Sequence, residues 1–243
     1  MDTKIEEYRS SLNNASSESI LEFFIDRYKG KIGLATSFGA EDQVLTDIIS
    51  KINKNILIFT LDTGRLHQET YDVMQETMKK YDIQIKVLFP ENKDVEDMVT
   101  QKGPNLFYES VENRKQCCFV RKIKPLKCIL SQLDVWVCGL RKSQSITRSS
   151  LDKIEYDSAN GLIKINPLAD WSEEQVWEYI NKYRIPYNKL HDRGFPSIGC
   201  APCTRAIKKG EDIRAGRWWW EPPETKECGL HKVGNKLIRK RNI

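Results

Sequence analysis

The sequence predicts an α/β fold built on a parallel sheet, and three observations carry that expectation. Apolar, β-branched runs alternate with helix-like stretches: "KIGLATSFG" before "AEDQVLTDIISKI", "NILIFTLDTG" before "RLHQETYDVMQETMKKY", and "IQIKVLFP" before "DVEDMVTQKG". A fourth strand, "DVWVCGL", follows a helix expected from about Cys118 to Leu133. The loops "SFGAED", "LDTGR" and "GLRKSQSITRS" all leave strands at their carboxyl ends, where such sheets bind ligands.

Beyond about residue 165 the texture changes. "DWSEEQVWEYINKY" reads as a helix, with Trp171, Val176 and Ile180 near helical spacing and Ser172 as its N-cap. A Gly/Pro-broken loop, "GFPSIGCAPCTRAIKKGED", comes next. The last stretch has Pro, Gly and charge without periodicity. The expected organisation is therefore an α/β body over residues 1–215 and a tail over 216–243, with Trp218–Trp220 as the tail's packing anchor. His67 is expected to start a helix and His191 to sit in a turn, neither with metal-like partners nearby.

Composition narrows the classes. At 243 residues, 40% hydrophobic and 30% charged, the chain is long enough for one large domain with a full core. No apolar run approaches a membrane span, and the polar, acidic N-terminus does not resemble a signal peptide, so a cytoplasmic location is expected. A formal charge of +5 suits a small anionic substrate and is too weak to argue for nucleic acid. The oligomeric state is not set, and a homo-oligomer is compatible with the sequence.

The chain has seven cysteines. In a reducing compartment, clustered cysteines point to metal or redox chemistry more than to stable disulfides. Cys117 and Cys118 are adjacent and bridge each other poorly. Cys200 and Cys203 form a CxxC in a tight Gly/Pro turn. Four thiolates in two close pairs suit either tetrahedral zinc or a [4Fe–4S] cluster. Adjacent sulfurs diverge, which fits the separated corners of a cubane better than one small ion; zinc stays open on the residues alone. Cys228 stands apart in "ETKECGLHK", where Lys226, His231 and Lys232 would stabilise a nucleophilic thiolate. Cys128 and Cys138 lie in apolar patterns and are expected to be small core residues.

Anion-binding capacity recurs beside these motifs. "LATSFGAED" is a strand, a Ser/Gly turn and a helix opened by acids, which leaves backbone amides at a helix N-terminus but lacks the lysine of a Walker loop. Cations gather at Arg121 and Lys122, at Arg141 and Arg148, and at Arg214 and Arg217.

In this order, "SFGAEDQVL", "LDTGRLHQETY", "CCFVRKIKPL", "GLRKSQSITRS", "GCAPCTRAI", "RAGRWWWE" and "KECGLH" resemble the adenylyl-sulfate reductases of sulfate assimilation, from about Ile32 to His231. The resemblance implies an ATP-pyrophosphatase-like nucleotide-binding fold followed by a redox-active tail. It implies that Cys117, Cys118, Cys200 and Cys203 hold one [4Fe–4S] cluster and that Cys228 is the nucleophile. Lys122, Arg148, Arg214, Arg217 and His231 would surround the phosphosulfate, with Arg141 in the same loop as Arg148. Ser37, Phe38, Gly39 and Asp42, with Leu61, Thr63 and Gly139, would line the adenosine. The implied substrate is adenosine 5′-phosphosulfate, and the implied electron donor is reduced thioredoxin or a similar dithiol protein. "QSITRS" is one residue shorter than the corresponding loop of some relatives, which bears on Arg148.

Three rival readings are the 3′-phosphoadenylyl-sulfate reductase, an iron–sulfur tRNA-thiolating enzyme, and a zinc-stapled RNA-binding module using "KLIRKRNI". The first typically lacks the cysteine pairs. The second normally has a glycine where Phe38 stands. Glu41, Asp42 and Asp62 are expected near the ribose, where they would disfavour a 3′-phosphate, offset in part by Arg65.

Overall fold

The computed structural model describes residues 2–144, 148–222 and 225–226. Eight α-helices and six strands lie within them: α1 Asp2–Ser11, α2 Ser17–Arg27, β1 Ile32–Ala35, α3 Ala40–Ile52, β2 Leu57–Leu61, α4 Gln68–Tyr81, β3 Lys86–Leu88, α5 Asn92–Lys102, α6 Val111–Cys118, α7 Lys124–Leu130, β4 Val135–Val137, β5 Ile154–Asp157, β6 Leu162–Ile165 and α8 Glu173–Tyr183. The sheet order is β3-β2-β1-β4-β6-β5. Every pairing is parallel except β5 with β6. The strand order reverses at β1, whose neighbours are β2 and β4, so a crevice opens above its carboxyl end.

The α/β expectation holds, and its four predicted strands and the helix after Ser172 are present. Ser172 closes a capping box with Gln175, and Val176 and Ile180 point into the core. His67 is the N-cap of α4, as expected.

Two elements lay hidden in the sequence. The polar N-terminus forms α1 and α2, because Ile5, Tyr8, Ile20, Leu21 and Phe24 recur at helical spacing and all are buried. The segment after β4 forms the β5–β6 hairpin. Its turn is held by the Asp157 carboxylate, which accepts from the Ala159 and Asn160 amides, and by Gly161 at φ +74°.

The helix around the paired cysteines begins earlier than predicted. Ser110 caps α6 by accepting from the Asn113 amide, so Cys117 and Cys118 close a helix instead of opening one. A π-helical turn, Phe119–Ile123, then joins α6 to α7. Pro125, at the start of α7, has no N–H to give the Arg121 carbonyl, which is a local reason for the wider turn.

The apolar core has three parts. One underlies α1–α4 and α8, one packs Phe59, Leu126, Leu130 and Trp136 on the opposite face, and the third joins Met98, Phe107, Cys118, Cys203 and Trp218. Among the described residues, no helix is long and apolar enough to cross a membrane.

Candidate functional site

A cavity of about 270 Å³ opens above the carboxyl ends of β1, β2 and β4. Its floor is the loop from Thr36 to Gly39, fixed by side chains. Asp42 accepts from both the amide and the hydroxyl of Ser37, at 2.7 and 2.8 Å. Phe38 takes a left-handed conformation, φ +60°, and its amide donates to Thr36 Oγ1 at 3.0 Å. The loop therefore turns the Phe38 ring into the core, where it is buried, and leaves Ser37 and Gly39 on the cavity.

Burial pushes the Asp42 carboxyl up to about 6, against the stabilising hydrogen bonds from Ser37. Gly139, after β4, packs so closely on Asp42 that a Cβ there would run into its carboxylate. The position requires glycine for space, not for conformation.

The cavity wall is cationic. Lys122, Arg141, Arg148, Arg214 and Arg217 all line it, with Leu61 and Gly139. Arg141 is buried and ion-paired with Glu41 at 2.7 Å. Arg148 bonds Gln144 within its own loop. Arg217 donates to Ser197 Oγ and the Ile198 carbonyl, with its guanidinium 4.6 Å from the Trp218 ring centre.

A second cavity lies behind the first. Cys117, Cys118, Cys200 and Cys203 line it with Arg65, Phe107, Arg114 and Arg121. Lys122, Arg217 and Trp218 line both cavities, so one short wall separates the four sulfurs from the cationic pocket.

The sulfurs sit in unequal fields. Burial and the Cys200 and Cys118 charges push the Cys203 thiol up to about 12. Burial also raises the Cys117 thiol, although Arg121 opposes it. At Cys200 burial acts in the same sense, but Lys122, the Thr63 hydroxyl at 3.3 Å and Arg217 outweigh it and hold that thiol below its usual value. Two buried and two half-buried thiols, with Cys117 and Cys203 raised and Cys200 lowered, are a donor set whose joint ionisation a polycationic group would compensate. Among the described residues, no three His, Cys, Asp or Glu side chains are grouped to hold a single metal ion.

The structure thus brings most predicted site residues to one crevice. Ser37, Gly39, Asp42, Leu61, Lys122, Gly139, Arg141, Arg148, Arg214 and Arg217 line the first cavity, and the four paired cysteines line the second. Phe38 and Thr63 line neither: Phe38 is a core residue and Thr63 is buried against Cys200. Cys228 and His231 lie outside the described residues. Cys138 is buried as expected, with its thiol raised by burial. Cys128 is not; it is exposed, because α7 buries Leu126, Ile129 and Leu130 and turns position 128 outward. Of the three tryptophans, Trp218 is buried but Trp219 remains 39% exposed.

The carboxylates expected to face a ribose are committed elsewhere. Glu41 pairs with Arg141, Asp42 holds Ser37, and Asp62 accepts from the Gly64 amide and the Tyr71 hydroxyl. Arg65 is also engaged, donating to the Pro104 carbonyl and Asn105 Oδ1. Sequence reasoning missed the Glu41–Arg141 pair and Arg114, which is one helical turn before the cysteines and within reach of Cys118. An arginine at i−4 to a buried thiol was the available signal.

Residues 31–206 match the phosphoadenosine phosphosulfate reductase domain family. The chain is 56% identical over 201 residues to the adenosine 5′-phosphosulfate reductase of Allochromatium vinosum, covering 83% of this chain and 78% of that protein. It is 50% identical to the reductase of that name from Burkholderia cepacia, over 83% and 80% of the two chains. This chain belongs to the adenylyl-sulfate and phosphoadenylyl-sulfate reductase family. Among solved structures, the phosphoadenylyl-sulfate reductase of Candida auris, a phosphate complex, superposes with a TM-score of 0.72 at 27% identity, covering 84% of this chain and 96% of that one. The FMN adenylyltransferase of Candida glabrata shares the fold alone, with a TM-score of 0.54 at 14% identity over 93% and 76% of the two chains.

Proposed function

We propose that this chain reduces adenosine 5′-phosphosulfate to sulfite and AMP in sulfate assimilation, with Cys228 as nucleophile and a dithiol protein of the thioredoxin kind as electron donor. One observation carries the reading: the cationic cavity above the sheet shares Lys122 and Arg217 with the cavity lined by four cysteines. Ser37 and Gly39, held against Asp42 at the N-terminus of α3, form the floor for the nucleotide, and Leu61 and Gly139 supply the walls for adenosine. Arg148, Arg214 and Arg217 oppose the charge of the phosphosulfate, with Lys122 directed to the sulfate end.

The Cys228 thiolate attacks the sulfate sulfur. A sulfur–sulfur bond forms as the sulfur–oxygen bond to phosphate breaks, and AMP leaves with the electron pair. A thiolate of the donor then attacks the Cys228 sulfur, and sulfite departs with the electron pair of the bond that breaks. The donor's second thiol closes its disulfide and returns the Cys228 thiolate, so two electrons pass from dithiol to substrate. The second residue beyond Lys226 is Cys228, a reach of no more than about 7 Å. The Lys226 carbonyl accepts from Arg214 at 3.1 Å, which roots that reach at the cavity. His231 is proposed to complete the anion site.

Cys117, Cys118, Cys200 and Cys203 would hold one [4Fe–4S] cluster, which supplies a fixed charge beside Lys122. The protein's own part is to keep Lys122 between Cys200 and the substrate cavity. A cytoplasmic location fits a chain that needs these thiols reduced.

Mixing enzyme and substrate without reductant should leave one SO₃ group on Cys228 by intact-mass spectrometry, and Cys228→Ser should bind nucleotide yet form none. An adduct on Cys128 or Cys138 refutes the nucleophile. Replacing any of the four paired cysteines by Ser should bleach the protein and strip its iron; a colourless, zinc-loaded and fully active enzyme refutes the cluster. The 3′-phosphorylated nucleotide is the second reading, since Glu41, Asp42 and Asp62 are tied up internally and offer little repulsion. The ratio of kcat/KM for the two nucleotides decides between them.

A further inference from the structure

We propose that Arg114 and Glu221 form a buried latch that positions the thiol-bearing end of the chain, tying the helix of Cys117 and Cys118 to the segment that leads into Cys228. The inference rests on Cys228 being the nucleophile.

The contact is bidentate. Arg114 Nε donates to Glu221 Oε1 at 2.8 Å, and its terminal nitrogen donates to Oε2 at 2.7 Å. The two side chains are 0% and 2% exposed, although 107 residues separate them in sequence. Burial would discourage the guanidinium charge, but Glu221 outweighs it and Cys118 adds to the same side. The same arginine donates to the Thr225 carbonyl at 2.6 Å and sits 4.7 Å from the Trp218 ring centre. Thr225 Oγ1 returns a bond to Glu221 at 3.0 Å, and the Trp218 amide donates to the Cys203 carbonyl at 3.1 Å.

One guanidinium therefore touches a cysteine of the second cavity, the buried tryptophan, and two points on the chain before Lys226. An ion pair removed from water contributes little net stability, but it fixes geometry, because either charge left alone is strongly disfavoured. Cys228 follows Lys226 by two residues, so the region its thiol can reach is centred on this root. A displacement of about 1 Å between thiol and sulfur is enough to cost on the order of 10²-fold in rate. Arg214 holds the other side of this root, through the Lys226 carbonyl.

A merely structural pair predicts lost stability and a rate that recovers with it. The latch predicts a rate defect that outlasts the stability defect. In the cluster-loaded Glu221→Gln enzyme, single-turnover S-sulfonation of Cys228 should fall about 10- to 100-fold. Its AMP affinity should stay within about threefold, and its visible absorbance and iron content should be unchanged. The double variant Arg114→Gln/Glu221→Gln removes both charges together. It should recover thermal stability while its S-sulfonation stays slow, and amide exchange around Thr225 should be accelerated in both variants. If Glu221→Gln alone fails to keep its iron, the double variant carries the test. A wild-type rate in either variant overturns the latch. Failure of the unsubstituted enzyme to form any Cys228 adduct overturns the functional reading, and the positioning role with it.

Discussion

The two cavities that meet at Lys122 are built in opposite ways. The nucleotide side stands on regular structure: parallel strands deliver Ser37, Leu61 and Gly139 to one edge, and α3 begins where the substrate's charge would lie. The sulfur side stands on exceptions. Cys117 and Cys118 close α6 just before a π-turn, and Cys200 caps a single 3₁₀ turn that ends in Cys203. The first side is walled by cations that already have partners, Arg141 on Glu41, Arg148 on Gln144 and Arg217 on Ser197. The second gathers thiols in unequal fields: burial raises Cys117 and Cys203, while Cys200 is held low against burial by Lys122. Sheet geometry is sufficient to place a nucleotide, but four diverging sulfurs need a backbone bent to suit them.

Lys122 is where the contrast is sharpest, since it faces both sides. Lys122→Ala should lower kcat/KM by roughly 10²- to 10³-fold, because the sulfate end would lose the cation proposed to face it in the transition state. The same change should raise the Cys200 thiol, whose low value rests first on the Lys122 charge among the effects opposing burial. Thiol titration of the apo-protein by absorbance at the thiolate band reads this. An unshifted Cys200 would show that the two sides are not coupled through Lys122.

Asp42 tests the nucleotide side alone. Its carboxyl is held near 6 when folded, against 3.8 ordinarily. The folded state therefore binds the proton more tightly, and stability falls as pH rises from about 4 to 6, by about 3 kcal/mol in all. Asp42→Asn should flatten that part of the pH–stability curve. Chemical denaturation of both proteins between pH 4 and 8 measures it, and parallel curves would refute the shift.

How much of this was readable in advance follows the same division. The strands, the helix after Ser172 and the loops at their carboxyl ends follow from apolar periodicity, a local property. The cysteine pairs were legible as residue types, but the turn that aims them was not. Nothing in "CCFVRKIKP" except Pro125 announces a π-turn, and its cause includes packing against Phe107 and Trp218 from distant segments. Cys128 was misread because an apolar helix pattern does not say which face a small residue takes. The Arg114–Glu221 pair spans 107 residues, and no local signal reveals it.

Gly139 gives a smaller effect on the nucleotide side. Gly139→Ala pushes a methyl against the Asp42 carboxylate and its amide. The loop must shift, so AMP affinity should fall about 10-fold, or roughly 1.4 kcal/mol, while iron content stays the same. Loss of iron in this variant would show that the sulfur side depends on the loop as well.

The smallest effect separates the two sides most cleanly, because the same local change can be made on each. Ser110 caps α6 by accepting from the Asn113 amide at 3.1 Å, and Ser172 caps α8 by accepting from the Gln175 amide at 3.2 Å. Replacing either by Ala removes one such bond and should cost about 1 kcal/mol of stability, a little more at Ser172 because its box is reciprocal. The consequences should then diverge. α8 packs on α3 through Val176 and Ile180, far in sequence from any cysteine, so Ser172→Ala should leave iron content and its rate of loss to a chelator unchanged. α6 is only eight residues long and ends in Cys117 and Cys118, so fraying its first turn loosens both sulfurs. Ser110→Ala should therefore lose iron to a chelator about fivefold faster at equal global stability, the factor that 1 kcal/mol of local opening allows. Equal rates in the two variants would mean that the cysteine helix opens only with the whole protein.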